Sequence, residues 1–327
     1  MSPRRLVPIR PADHLPALVR LAADRDRAAL GRVEVGATWI AGRLAAPGLD
    51  PEHDTALLTG SDGQVAGAVW LSRSSGRSAW DAELLLAPHA TPDDAASLLD
   101  FAHRRCRTIA AGRPEGEVCL SCFVSERETA LRIALSAYGF AAPRPYLRMS
   151  VPLGGATAGE PPVPGAVVRV PEGEAGLRAF HAVKNRAFSA EEAGMEPDGF
   201  EEWLRWTGAD PGADPSQRAL LELDGEPVGF ANVTDRMAQT RGAAYLRQIG
   251  VLPRMRGRRL GAFLLRSVMA AARARGRGEM VLTVDTGNRA GLALYRATGW
   301  REESRFYDYA YRVTATPAPA GEVSSAR

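Results

Sequence analysis

Two stretches of this chain repeat one another at a nearly fixed distance, and that repeat limits the architectures open to it. Asp62-Gly63-Gln64-Val65-Ala66-Gly67 precedes an apolar run to Leu71, and Asp224-Gly225-Glu226-Pro227-Val228-Gly229 precedes Phe230 to Val233, an offset of 162 residues. Tyr138-Gly139-Phe140 and Thr298-Gly299-Trp300 recur at an offset of 160. Separate motifs held at one spacing point to a tandem duplication. Each Asp-Gly pair between apolar runs reads as the turn of a β-hairpin. A chain of 327 residues, at roughly 150 per domain, accommodates two such copies. Between them VPLGGATAGEPPVP (151–164) is rich in Gly and Pro and reads as a linker. The expected units are therefore 1–150 and 165–313, with a disordered tail at 314–327.

Within the second copy the pattern mixes helices with mostly antiparallel strands. Gly176 to Ala187, Phe200 to Trp206 and Arg289 to Thr298 read as helices; Gly261 to Arg275 places Phe263, Leu264, Val268, Ala271 and Ala272 at helical spacing. Ala219 to Leu223, Val228 to Val233, Tyr245 to Val251, Glu279 to Val284 and Arg305 to Val313 read as strands. The fold class expected is α+β, with a mixed, mostly antiparallel sheet flanked by helices in each copy.

Composition narrows the partners. Net charge is only +3, and Lys184 is the single lysine among 41 basic residues. Nucleic-acid binding calls for a concentrated basic face with stacking aromatics, and neither is evident. No apolar stretch approaches the roughly 20 residues that span a bilayer. Met1 to Arg10 lacks the apolar core of a signal peptide, so a cytoplasmic protein is expected. Cys119 and Cys122 form a lone CxxC without a second ligand pair; the cysteines read as core or half-buried residues, and no metal is expected.

The run Ile249-Gly250-Val251-Leu252-Pro253-Arg254-Met255-Arg256-Gly257-Arg258-Arg259-Leu260-Gly261 carries the most chemistry. A strand ends, an Arg-Gly loop follows, and a helix begins. Unpaired N–H groups in a first helical turn, joined by arginines, can hold a pyrophosphate. The same residues could equally form a solvated basic loop. Neither a Walker loop nor a dinucleotide GxGxxG is present.

This run resembles motif A of the GCN5-related N-acetyltransferase (GNAT) superfamily, V-x-P-x-x-R-G-x-G-[LI]-G, through Val251, Pro253, Arg256, Gly257, Leu260 and Gly261, with Arg259 where glycine is commonest. About 30 residues on, Asn288 followed by Ala293-Leu294-Tyr295 and Gly299-Trp300 resembles motif B. With the repeat, the chain is similar to the tandem branch that includes mycothiol synthase. The resemblance implies an acetyl-CoA-dependent N-acetyltransferase acting on a primary amine of a small molecule. The alternative is a noncatalytic acyl-CoA-binding sensor or interaction protein.

By position, the resemblance assigns Ile249, Gly250 and Val251 to the pantetheine arm. It assigns Arg256, Gly257, Arg258, Arg259, Leu260, Gly261 and Ala262 to the pyrophosphate, places Asn288 beside the arm, and makes Tyr295 the acid that protonates the thiolate. Many relatives carry a glutamate on the strand before motif A; Tyr245 stands there, and no acid occurs from Gly242 to Pro253. Tyr245 completes the candidate catalytic pair, while a water, Glu222 or Asp235 remain alternative bases. In the first copy Pro92, Asp93 and Asp94 replace the Arg-Gly loop, which implies a noncatalytic domain. The acidic run Glu191 to Glu202 could attract a cationic amine or be a solvated face. Tyr307, Tyr309 and Tyr311 could line a pocket or be half-buried in a strand. A monomer is the expected state, with a homodimer as the alternative.

Overall fold

The computed structural model describes residues 4–61, 63–73, 79–188, 197–210 and 212–315. The first half runs β1 (Arg5–Val7), α1 (Pro11–Leu30), α2 (Ala37–Leu44), α3 (Pro51–Asp54), β2 (Thr55–Thr59), β3 (Val65–Arg73), β4 (Ala79–Leu86), α4 (Pro92–Ala111), β5 (Glu117–Ser125), α5 (Thr129–Tyr138) and β6 (Arg144–Pro152). The second runs β7 (Ala166–Arg169), α6 (Gly173–Ala187), α7 (Phe200–Gly208), β8 (Ala213–Leu223), β9 (Glu226–Thr234), α8 (Ala238–Arg241), β10 (Ala243–Val251), α9 (Leu260–Ala274), β11 (Glu279–Asp285), α10 (Arg289–Ala297) and β12 (Arg301–Thr314). This is the α+β, largely antiparallel architecture expected, in two similar halves.

Among the described residues one sheet holds twelve strands, in the order β1-β2-β3-β4-β5-β12-β6-β11-β10-β9-β8-β7. The centre of that order departs from the order of the chain. β12, the last strand of the second half, pairs with β5 from Phe306↔Ser125 to Thr314↔Glu117. β6, the last strand of the first half, pairs with β11 from Glu279↔Pro152 to Asp285↔Tyr146 and with β12 on its other edge. Each half therefore completes the sheet of the other. β6 also continues through Val151 and Pro152, into the segment expected to be linker.

Helices cover both faces, and the strand residues alternate accordingly. On β8, Ala219, Leu221 and Leu223 bury against α9, whereas Leu220 turns to the cluster built on Phe180 and Trp203 of α6 and α7. On β3, Val69 and Leu71 face α4 while Ala68 and Trp70 face α1 and α2. The α9 segment is helical because its buried residues recur as Leu260, Phe263, Leu264, Val268 and Ala272, a stripe at helical spacing. Cys106 and Cys122 are buried in the first half's core, and Cys119, three residues along β5, faces outward. No helix among the described residues is long and apolar enough to cross a membrane.

The second hairpin turn has the geometry its sequence demands: Asp224 and Gly225 have φ of 53° and 84°, both positive, as a type I′ turn requires. Asp62 of the first lies outside the described residues. The one other described non-glycine at positive φ is Arg259, at 60°, immediately before α9.

A buried ion network locks the halves together. Arg241, 4% exposed in its side chain, donates to Glu34 Oε1 at 3.1 Å, to Glu279 Oε1 at 2.5 Å and to Glu303 Oε1 at 2.5 Å. Glu34 follows α1 in the first half and also pairs with Arg148 of β6. Arg32 reaches Glu303 at 2.6 Å. Burial pushes the Glu303 carboxyl up, but hydrogen bonds from Arg241 and Ser150 outweigh it and hold the group below its ordinary value.

Arg241→Met leaves three carboxylates around an empty position. Chemical denaturation at neutral pH is expected to show a loss of about 3–5 kcal/mol, the cost of removing one partner from a buried pair. Because the folded-state Glu303 is depressed, its stabilisation is full above the unfolded carboxylate value of about 4.3 and is lost as pH falls below it; R241M should flatten that acid limb. At Arg259 the left-handed backbone makes a different demand. Arg259→Gly should be at least as stable as the parent, whereas Arg259→Val should lose about 1–2 kcal/mol in the same assay.

Candidate active site

β10 and β11 are parallel partners only from Ala243↔Glu279 to Leu246↔Leu282. Beyond that they part. A bulge between Leu246 and Gln248 bends β10, which continues against β9 alone, while β11 continues against β6. Ile249, Gly250 and Val251 thus present one backbone edge to an open wedge. Gly250 belongs there because a Cβ would lie 2.9 Å from the Phe230 ring and 3.1 Å from Ala187 Cβ.

The loop that follows closes the wide end of the wedge. The Leu252 N–H bonds to Val228 O at 2.9 Å, Pro253–Met255 form one 3₁₀ turn, and Gly257 takes φ of 78°. α9 then begins with no side-chain cap and no acid in its first turn. The N–H groups of Leu260, Gly261 and Ala262 lack the helical partners that later residues have. These three residues line a cleft of about 1170 Å³, together with Ile249, Gly250, Val251, Arg256, Gly257 and Arg259. The Arg256 Nε donates to Val251 O at 3.3 Å. Arg258 departs from expectation: its guanidinium turns to Met255 Sδ at 3.4 Å, and it is absent from the cleft wall.

The opposite wall comes from α10 and β6, with Asn288, Leu294, Tyr295, Arg144 and Tyr146. The Asn288 Oδ1 accepts from the Gly291 N–H at 2.8 Å and so caps α10, a structural role beside any contact with a ligand. Tyr295 is 7% exposed and packs on Trp300, with ring centroids 5.6 Å apart. Burial, with a smaller contribution from Tyr245, pushes its phenol up to about 12. It keeps its proton across the physiological range.

Tyr245 occupies a second cavity of about 320 Å³ between the halves. Trp39 and Phe123 of the first half and Arg236, Thr283 and Phe306 of the second share its walls, and Tyr146 borders both this cavity and the cleft. The Tyr245 hydroxyl donates to Thr283 Oγ1 at 3.1 Å; Arg148 Nε donates to the same oxygen at 3.1 Å and pairs with Glu34. The Arg236 guanidinium lies 3.8 Å from the Tyr245 ring centroid. Burial alone would raise this phenol, but the charges of Arg236 and Arg148 outweigh it and bring it below its ordinary value. The two tyrosines are thus shifted apart, which is the pattern of an acid and a base.

The first half repeats the wedge without the cradle. β4 and β5 pair only from Ala79↔Cys119 to Asp81↔Ser121. The start of α4 is closed from within: Thr91 Oγ1 accepts from the Asp94 N–H at 3.3 Å, Asp94 accepts from the Thr91 N–H at 2.6 Å, and Arg4 pairs with Asp94. At this helix start Pro92 has no N–H and the Asp94 N–H is taken by the cap.

Several readings of the sequence are decided by these contacts. Glu222 pairs with Arg169 at the outer edge of the sheet, and Asp235 is engaged by Gln217 at 2.8 Å and Arg277 at 2.9 Å. Tyr309 is buried in the first half's core with Tyr307 and Tyr311 packed against it, so the three phenols are strand residues at the junction; Phe306 of the same strand lines the cavity instead. Glu191, Glu192 and Glu196 lie outside the described residues, while Asp198 is buried between His181 at 2.9 Å and Lys184 at 2.5 Å. Arg148, Thr283, Arg236 and Glu34 were missed. A lone arginine inside the apolar strand Tyr146 to Val151 was the one available signal. Among the described residues no group of three or more His, Cys, Asp or Glu could hold a metal.

The sequence profile of the Acetyltransferase (GNAT) family matches residues 179–300. Mycothiol acetyltransferase of Thermomonospora curvata is 33% identical over 166 residues, covering 50% of this chain and 54% of that protein. N-alpha-acetyltransferase RimI of Mycobacterium tuberculosis is 38% identical over 95 residues, covering 29% and 57%. The chain thus spans about half the length of the curated relatives it matches. Over whole chains, a GCN5-related N-acetyltransferase from Sphaerobacter thermophilus shares the fold with a TM-score of 0.80 at 22% identity, covering 96% of this chain and 98% of that one. The tandem GNAT protein from the clavulanic acid biosynthesis pathway does so with a TM-score of 0.71 at 15%, covering 96% and 100%. Residues 179–300, which hold the open wedge, thus match the Acetyltransferase (GNAT) family, and the fold along nearly the whole chain is that of tandem GNAT structures.

Proposed function

We propose that the chain is an acetyl-CoA-dependent N-acetyltransferase whose acceptor is a primary amine of a small molecule. The observation that carries the reading is the cleft itself: a splayed strand edge and an uncapped helix start with arginines face a protonated buried tyrosine across it. Ile249, Gly250 and Val251 would pair with the amide-bearing arm. The first-turn N–H groups of Leu260, Gly261 and Ala262, with Arg256 and Arg259, would hold the pyrophosphate, where the helix dipole adds to the attraction. Asn288 would flank the arm. Acetyl-CoA supplies the acetyl group as a thioester ready for direct transfer.

The chain's own residues then have two tasks beyond positioning. Tyr295 donates its hydroxyl proton to the departing sulfur. Tyr245, held by Thr283 and lowered by Arg236 and Arg148, takes a proton from the acceptor nitrogen in the cavity across Tyr146. In the first half the self-capped α4 supports a noncatalytic copy, and hence one cofactor site per chain.

Calorimetry with acetyl-CoA should give one site, and Arg256→Glu should weaken it at least tenfold, because a carboxylate then faces the phosphates. Tyr295→Phe should lower kcat about a hundredfold with acetyl-CoA affinity nearly unchanged. An acyl-CoA sensor would lose neither. The rate should rise with pH through a step below the ordinary tyrosine value, since the deprotonated Tyr245 is the active form. Tyr245→Phe should remove that step as well as slow the reaction, and a profile unchanged by Y245F would assign the base elsewhere.

A further inference from the structure

The cavity between the halves contains several charged groups, and most of them are matched. Asp26 accepts the N–H groups of Glu34 and Val35, each at 2.8 Å, and pairs with Arg25 at 2.8 Å. Glu34 is held by Arg148 and Arg241. Among the described residues that line this cavity, Arg236 is the cation without an ion pair, and Glu83 is an acid without one. Arg236 is half-buried, with its guanidinium carbon over the Tyr245 ring at 3.8 Å from the centroid, and among the described residues no carboxylate comes within ion-pairing distance of it. Its neighbour Asp235 is taken by Arg277 and Gln217. Arg236 and Trp39 also border the adjoining gap between α2 and the loop at Gly212. A guanidinium presents its N–H groups in a planar fork, in the spacing of a carboxylate's two oxygens.

We propose that Arg236 is an anion subsite of the acceptor pocket, and that the acceptor is a small amine carrying a carboxylate within a few bonds of its nitrogen. This rests on the acetyltransferase reading and narrows its substrate class to amino-acid-like compounds. The short separation follows from position. Arg236 lies on the ring of the residue assigned to deprotonate the amine, so a carboxylate held there leaves a nearby nitrogen within reach of the Tyr245 hydroxyl. Trp39, Phe123 and Phe306 give the rest of the acceptor an apolar, aromatic surround. Glu34 and Glu83 line the same cavity, and their charge disfavours a doubly charged phosphate more than a single carboxylate.

The test uses matched pairs of amines on the full chain: L-phenylalanine with its carboxamide, L-leucine with its carboxamide, and β-alanine with its carboxamide. Affinity is read by calorimetry without acetyl-CoA, and acetylation is read separately with it. At least one acid should bind about tenfold or more tightly than its amide, as one charge-assisted pair supplies. Arg236→Met should bring that ratio close to one, and Arg236→Lys, which keeps the charge without the planar fork, should fall between. Circular dichroism and thermal unfolding establish that both variants fold. A panel in which no acid outbinds its amide overturns the proposal, as does a ratio that survives R236M. If acids outbind amides but acetyl-CoA does not bind, the subsite stands and the acetyltransferase reading falls. If amines are acetylated with no preference for acids, the reading stands and the subsite falls.

Discussion

The pairing of β6 with β11 governs most of what this molecule can do. Two neighbouring parallel strands can diverge only if each finds another partner, because a buried strand edge left bare on both sides would strand its N–H and C=O groups. β10 keeps β9, and β11 keeps β6, a strand contributed by the opposite half. The wedge therefore exists at the expense of one edge only, and the first half is a structural requirement of the second half's cleft. The Glu34, Arg148 and Arg241 network secures the same junction with charge, and its Arg148 arm reaches Thr283 and so Tyr245.

The two halves share a scaffold and differ in how one helix begins. Both retain the parted strands and the helix that follows. They differ at the helix start. Where Arg259 adopts a left-handed backbone and the first turn has no side-chain cap, Thr91 and Asp94 form a capping box closed by Arg4. The first turn is left without a side-chain cap in one half and closed by a capping box in the other. The N-terminal half has instead gained contacts to the cavity, through Trp39 and Phe123.

Much of this was legible in the sequence because it is local. The helix at Gly261 to Arg275, the hairpin at Asp224-Gly225 and the strand ending at Pro253 follow from periodicity and turn chemistry, and they fall within a few residues of the observed elements. The cleft wall from Ile249 to Ala262 was legible for the same reason, being nearly continuous in the chain. The strand exchange was not, since β6 and β12 carry ordinary strand patterns and nothing local says which edge they join. Arg236 and Thr283 were hidden likewise: their roles come from meeting Tyr245 across the junction, at separations in sequence that no periodicity encodes. The direction of Arg258 was not legible, because a loop arginine's direction depends on the neighbour it finds, here Met255.

The crossed strands have a topological meaning as well. The connection from Leu153 to Gly165 is the covalent link between the halves, yet β6 and β12 clasp them like interlocked arms on either side of it. A peptide bond broken there would not free two independent lobes. It would leave two polypeptides, each holding a strand that the other's sheet lacks, so that reassembly becomes a bimolecular event with a built-in address.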